Sequence, residues 1–186
     1  MRQIMLFLAV VFTSTAFSQD SSILKKEFDY EAYLKSQHVK YQGKQFPEFS
    51  IKISDNANFS NADLKNKVVF INFWFESCSP CIAEMDGFNE MFNKLKGNPD
   101  FLFITFTFDS DSIIKKVVSK YNIEYKTFHI DRAECYRLNF ENGFPTSFIL
   151  DRKGLIRFYK TGGQIEREKS TKEVMTQIYP EILKIL

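Results

Sequence analysis

The chain has 186 residues, 44% of them hydrophobic and 16% aromatic, which is enough apolar material for one domain with a full core and too much for a disordered chain. Its formal net charge is +2, and removing Arg2 with the leader described next leaves 24 basic against 23 acidic residues. Lysines are scattered among acids and no basic stripe with interleaved aromatics stands out, so the chain is not expected to bind nucleic acid.

Residues 1–18 have the layout of a secretory signal: Arg2 as the charged start, Ile4 to Phe12 as a short apolar stretch, then small polar residues ending in Ala16-Phe17-Ser18, with cleavage expected after Ser18. Nine apolar residues fall short of the roughly 20 that span a bilayer, and no second span follows, so no permanent membrane span is expected. Residues 19–45 read as a polar, tyrosine-dotted extension with a short helix around Ile23 to Leu34, and residues 46–186 as the main domain. That domain opens with a strand expected over Phe46 to Ile53, and Phe59 to Lys67 reads as a loop or short helical turn. Val68 to Phe75 is a near-continuous apolar run, the mark of a strand buried on both faces.

After it, Ile82, Met85, Phe88, Phe92 and Leu95 recur at three- and four-residue spacing and predict a helix that Gly97-Asn98-Pro99 stops. A strand at Phe101 to Phe108, a helix from Ser112 to Tyr121, a short strand near Thr127 to Ile130 and a brief helix near Ala133 to Phe140 follow. Phe148-Ile149-Leu150 and Leu155 to Tyr159 flank Asp151-Arg152-Lys153-Gly154, a hairpin signal, and a helix over Glu168 to Leu186 closes the chain. Strands alternating with helices make an α/β domain with a mixed sheet.

Cys78-Ser79-Pro80-Cys81 lies where the apolar strand gives way to the first long helix. Unpaired N–H groups and a partial positive charge at a helix N-terminus favour thiolate over thiol, lowering a cysteine pKa from about 8.5 toward values as low as about 3.5. Cys78 is therefore the candidate nucleophile. A C-x-x-C pair can also be half of a zinc site or a structural clip. Zinc calls for four ligands, and only Cys135, His38 and His129 are on offer, widely scattered, while a clip across two residues removes little unfolded-chain entropy. The redox use fits the strand-to-helix setting best.

Asn72-Phe73-Trp74-Phe75-Glu76-Ser77-Cys78-Ser79-Pro80-Cys81, followed by Glu84 and, 64 residues after Cys81, by Pro145 within Gly143-Phe144-Pro145-Thr146-Ser147, resembles the TlpA/ResA-like thiol-disulfide oxidoreductases of the bacterial cell envelope. Gly43 to Phe49 is similar to the start of that family's domain. The resemblance implies a thioredoxin-like fold, a central mixed sheet flanked by helices. It implies a redox-active disulfide between Cys78 and Cys81 with no other cofactor and no metal, and a periplasmic or cell-envelope location. It also implies disulfide-containing protein substrates and a membrane thiol-transfer protein as electron donor. Reduction of apocytochrome c cysteines is one task it suggests. Pro145 is expected in a cis-proline loop facing the cysteines, where Phe144 could pair with an extended client segment, and Phe75 and Pro80 are further expected client contacts.

The chain departs from many thioredoxin relatives at Ser77, where they have tryptophan, and at Asn72, where thioredoxin has a buried aspartate; Asn72 is expected to hydrogen-bond within the core. On a helical wheel Glu84 falls at the edge of the apolar arc that Cys81 centres, whereas Asp86 and Glu90 point to the polar side. The family has an acid at that place, so Glu84 is expected to exchange a proton with the Cys81 sulfur, its pKa raised by burial. Cys135 is expected to be buried and inert, and His129 structural. A copper-handling protein using Cys78 and Cys81, with His129 as a further candidate ligand, or an adaptor whose disulfide stays closed, remain as alternatives, and reductase is favoured over oxidase by the resemblance alone.

Overall fold

The computed structural model describes residues 39–186 together with Ala32 and Ser36; the expected signal segment and most of the extension, its expected helix included, lie outside the described residues. Among the described residues Tyr41 is the first that is buried. Its buried ring stacks 4.5 Å from Phe140 and meets Tyr159 edge-on. Gly43 and Lys44 exchange backbone hydrogen bonds with Ile156.

Strands β1 (Ser50–Ser54) and β2 (Ala57–Ser60) form an antiparallel hairpin. The single strand over Phe46 to Ile53 is thus corrected to a hairpin, because the chain reverses at Asp55 and Asn56, while the short helical turn expected within Phe59 to Lys67 is present. Ser60 then caps the short helix α1 (Asn61–Leu64) in a reciprocal box with Asp63.

The main sheet has five strands: β3 (Val68–Phe73), β4 (Phe101–Thr107), β5 (Lys126–His129), β6 (Thr146–Leu150) and β7 (Ile156–Thr161), in the order β5-β4-β3-β6-β7. β3, β4 and β5 run parallel, while β6 opposes β3 and β7 opposes β6. The expected α/β architecture with a central mixed sheet is present. Helices α2 (Ser79–Leu95), α3 (Asp111–Tyr121) and α4 (Arg132–Leu138) link the strands. The expected closing helix is three pieces: α5 (Arg167–Glu173), a π-helical turn (Val174–Ile178) and α6 (Tyr179–Leu183).

β3 lies at the centre of the sheet with every residue buried, because its alternate side chains enter two different cores. Val68, Phe70 and Trp74 join Cys81, Met85, Phe88 and Val174 in a core beneath α2 and α5. Val69, Ile71 and Phe73 face Phe106, Phe148 and Leu138 on the other side. Close approach of α2 to α5 and the π-helical turn depends on Gly87, where a Cβ would lie 3.0 Å from Thr171 Cα and 2.9 Å from Val174 Cβ.

Candidate active site

Cys78 is the N-cap of α2, with Ser79 and Pro80 as the first helical residues; a proline there forfeits no hydrogen bond, since the first-turn amides are unpaired in any case. The sulfurs of Cys78 and Cys81 are 2.00 Å apart and their Cα atoms 5.3 Å apart. The Cys81 amide donates to Cys78 Sγ at 3.3 Å, so the N-terminal end of the helix is aimed at that sulfur. Cys78 is 6% exposed against 1% for Cys81, which leaves the first sulfur as the one nearer solvent. The strand exit is fixed from β4: Glu76 N donates to Asp109 Oδ2 at 2.6 Å, and Trp74 Nε1 donates to Thr105 Oγ1 at 3.2 Å.

One turn into the helix, Glu84 is 1% exposed, more deeply buried than the edge of an apolar stripe suggested. Its Oε1 accepts from Lys160 Nζ at 3.0 Å, while its Oε2 is buried without a hydrogen-bond partner. Lys160 comes from β7, is itself 3% exposed, and also donates to the Gly162 carbonyl at 2.8 Å and approaches Glu173 Oε2 of α5 to 3.4 Å. Burial pushes the Glu84 carboxyl above the ordinary carboxylate range; Lys160 pulls it back only in part, and Glu173 adds to the rise. For Lys160 burial acts downward, yet Glu84 and Glu173 together outweigh it and hold the ammonium charged.

The Phe144–Pro145 bond is cis. The Pro145 carbonyl accepts from Gly162 N at 2.9 Å, tying this loop to the end of β7. A Cβ placed on Gly163 would lie 3.3 Å from Glu84 Oε1 and 3.4 Å from Pro145 Cγ, so the proline ring, Glu84 and Gly163 form one cluster. Phe144 meets Phe75 edge-on at 5.3 Å between ring centres, and Phe108 and Tyr136 complete a half-buried aromatic platform around it. The fold therefore brings Phe75, Cys78, Pro80, Cys81, Glu84, Phe144 and Pro145 into one neighbourhood.

Asn72 is 2% exposed and donates to Ser147 Oγ at 3.0 Å. His129 Nδ1 contacts the Asp109 carbonyl at 2.8 Å, a structural link to the residue whose carboxylate accepts from Glu76 N. Cys135 is fully buried in the opposite core. Lys160 and Glu173 escaped the sequence reading. Strand alternation places Lys160 on the same face as the buried Phe158, and Glu173 shares a helical stripe with Ser170 and Val174; these were the available signals.

Residues 41–176 match the Redoxin family model. The chain is 27% identical over 127 residues to the thiol-disulfide oxidoreductase ResA of Bacillus cereus, covering 68% of this chain and 73% of that protein. It is 27% identical over 145 residues to the thioredoxin-like protein YneN of Bacillus subtilis, covering 77% and 85%. Among solved structures, a Chlorobium tepidum chain described as the thiol:disulfide interchange protein DsbE superposes with a TM-score of 0.62 at 23% identity, over 76% of this chain and 97% of that one. The thioredoxin domain of a Bacteroides vulgatus thiol-disulfide oxidoreductase does so with 0.57 at 22% identity, over 72% and 97%. Both share the thioredoxin-like fold.

Proposed function

This chain belongs to the Redoxin family and is a TlpA/ResA-like thiol-disulfide oxidoreductase, and from that premise we propose that it reduces disulfides of protein substrates outside the cytoplasm. Cys78, as thiolate, attacks a client sulfur; the client disulfide breaks and its second sulfur leaves as a thiolate. The Cys81 thiol gives its proton to Glu84, and the resulting thiolate attacks Cys78 Sγ. That closes the Cys78–Cys81 disulfide and expels the first client sulfur as a second thiolate. Two electrons pass from enzyme to client, and a membrane thiol-transfer protein returns them. Phe75, Pro80 and Phe144 receive the client chain beside Pro145, whose loop offers backbone to an extended segment. Apocytochrome c cysteines are one client class of suitable chemistry.

The arrangement along α2 carries this reading: the Cys78 sulfur at the helix N-terminus, and a dry carboxyl one turn after Cys81. The N-terminus favours the attacking thiolate. A buried carboxylate opposes charge on the sulfur above it, which disfavours the reduced form and drives electrons toward the client. The proposed location outside the cytoplasm is supported by the signal-like pattern of residues 1–18.

A redox titration combined with trapping by Cys81→Ser tests the proposal. A potential near the thioredoxin value of about −270 mV, with clients captured on Cys78, is expected. A potential near about −120 mV, that of a strong oxidant, would reverse the direction. A disulfide that thiol buffers cannot open would end the catalytic reading.

A further inference from the structure

Glu84, Lys160 and Glu173 come from three separate elements, α2, β7 and α5, and all are at least nine-tenths buried, at 1%, 3% and 7% exposure. One ammonium lies between two carboxylates, 3.0 Å from Glu84 Oε1 and 3.4 Å from Glu173 Oε2. With both acids ionised the dry cluster holds a net negative charge; with one of them protonated it is neutral. An unbalanced charge in such a place is costly, so the cluster favours holding one proton. Glu84 Oε2, buried and without a hydrogen-bond partner, is an open place for that proton on the carboxyl that follows Cys81 by one turn.

We propose that Lys160 is a positioning residue for thiol exchange, its ammonium shifting between Glu84 and Glu173 so that Glu84 can take up and return the Cys81 proton. This deepens the reading of Glu84 as the acid that serves Cys81, and rests on it. When Cys81 is a thiol, Glu84 is a carboxylate drawn onto Lys160. When the proton passes from Cys81 Sγ to Glu84 Oε2 and Cys81 closes the disulfide, the ammonium moves toward Glu173, and the cluster is neutral again. The proton that Cys81 loses is the one Glu84 gains, which takes the cluster from one net negative charge to none, and that charge leaves with the two electrons on the client thiolate. Other titratable groups near Glu84 do not perform this part. Tyr125, ahead of β5, is buried with its hydroxyl pushed well up, first by burial and then by Glu84 and Asp86. Asp86, on the same helix, is half-exposed and paired with Arg167 at 2.8 Å.

The test is the midpoint potential of the Cys78–Cys81 disulfide as a function of pH in the full-length protein and in three variants. The wild-type curve is expected to change slope where Glu84 titrates, and Glu84→Gln to lose that inflexion. Lys160→Met leaves two carboxylates without a cation, so the inflexion moves to higher pH. Glu173→Gln leaves Lys160 to Glu84 alone, so it moves to lower pH, each by about one pH unit or more. A Lys160 that only held the fold together would lower stability without moving the inflexion. If Glu84→Gln removes the inflexion while the other two variants leave it in place, or shift it the same way, the role of Lys160 is overturned and that of Glu84 stands. A wild-type curve without the inflexion, or one that persists in Glu84→Gln, overturns both. Should Lys160→Met fail to fold, the downward shift in Glu173→Gln decides alone.

Discussion

Cys78 and Cys135 are both buried sulfurs in helical segments, yet the chain prepares them for opposite fates. Cys78 caps a 17-residue helix and accepts an N–H from Cys81, so the polar end of the helix is directed at its sulfur. Cys135 lies inside α4 with its own N–H given to Asp131 and its side chain in the aromatic core; burial pushes its thiol up to about 12, helped by Asp109 and Glu134 and opposed by Arg132. The difference extends to the two faces of the sheet. All three buried charged side chains among the described residues, Glu84, Lys160 and Glu173, belong to the face that holds the redox pair. On the proposed reading, reactivity follows from which end of a helix a sulfur meets and which ions lie beneath it, together with the slight exposure that Cys78 keeps and Cys135 lacks.

The comparison breaks most sharply on the sulfurs themselves. Cys78→Ser is expected to reduce disulfide exchange to the uncatalysed rate, whereas Cys135→Ser leaves the rate unchanged and costs about 1–3 kcal/mol of stability for an imperfectly satisfied buried hydroxyl. In the reduced native protein, iodoacetamide followed by mass spectrometry should label Cys78 rapidly and Cys135 only after unfolding. Equal labelling of the two would erase the distinction.

Lys160→Met attacks the charged face. Removing the one cation strands two buried carboxylates, an effect of about 3–5 kcal/mol near neutral pH by urea denaturation. The loss should shrink in acid, where the stranded carboxyls become neutral. A loss of less than 1 kcal/mol at pH 7 would mean that water already reaches the cluster, and the contrast between the two faces would fade.

These charges also mark the limit of what the sequence discloses. The run Val68 to Phe75 and the apolar spacing from Ile82 to Leu95 announce β3 and α2, because each buries enough apolar surface to impose its own period. The β1–β2 hairpin is poorly legible: its strands are short and mostly exposed, so their alternation is weak. Glu84 is visible as an acid beside an apolar arc. Lys160 is not, since a lysine on a strand is ordinarily solvated, and its burial depends on an acid 76 residues away in sequence. Only the pairing of β7 with β6, and of β6 with β3, brings that acid within reach.

A smaller effect appears in stability against pH. The folded Glu84 carboxyl is raised above its ordinary value of 4.5, so over that interval the native state holds a proton that the unfolded chain has released. Its contribution is therefore most favourable at and below the ordinary carboxylate range and declines as pH climbs through the raised folded value, by up to about 1.4 kcal/mol per pH unit. Glu84→Gln should lack this decline. Asp151 and Glu134, whose folded values are lowered, act below that window. Parallel urea-derived curves for the two proteins would show that Glu84 titrates normally.

Gly163→Ala probes the join between the charged cluster and the proline loop with the least disturbance. The added methyl would lie 3.3 Å from Glu84 Oε1 and 3.4 Å from Pro145 Cγ, contacts tight enough that one neighbour must give by a few tenths of an ångström. Glu84 is held by Lys160, and Pro145 by the Gly162 amide, so the strain is shared between the carboxyl and the loop. Overpacking of this size costs about 1 kcal/mol. Because the moved groups are the acid beneath Cys81 and the proline beside the proposed client path, exchange should slow several-fold while the α2–α5 core is untouched. A variant of lowered stability with unaltered exchange would separate this cluster from the chemistry, and leave the sulfurs and the helix end to account for the activity alone.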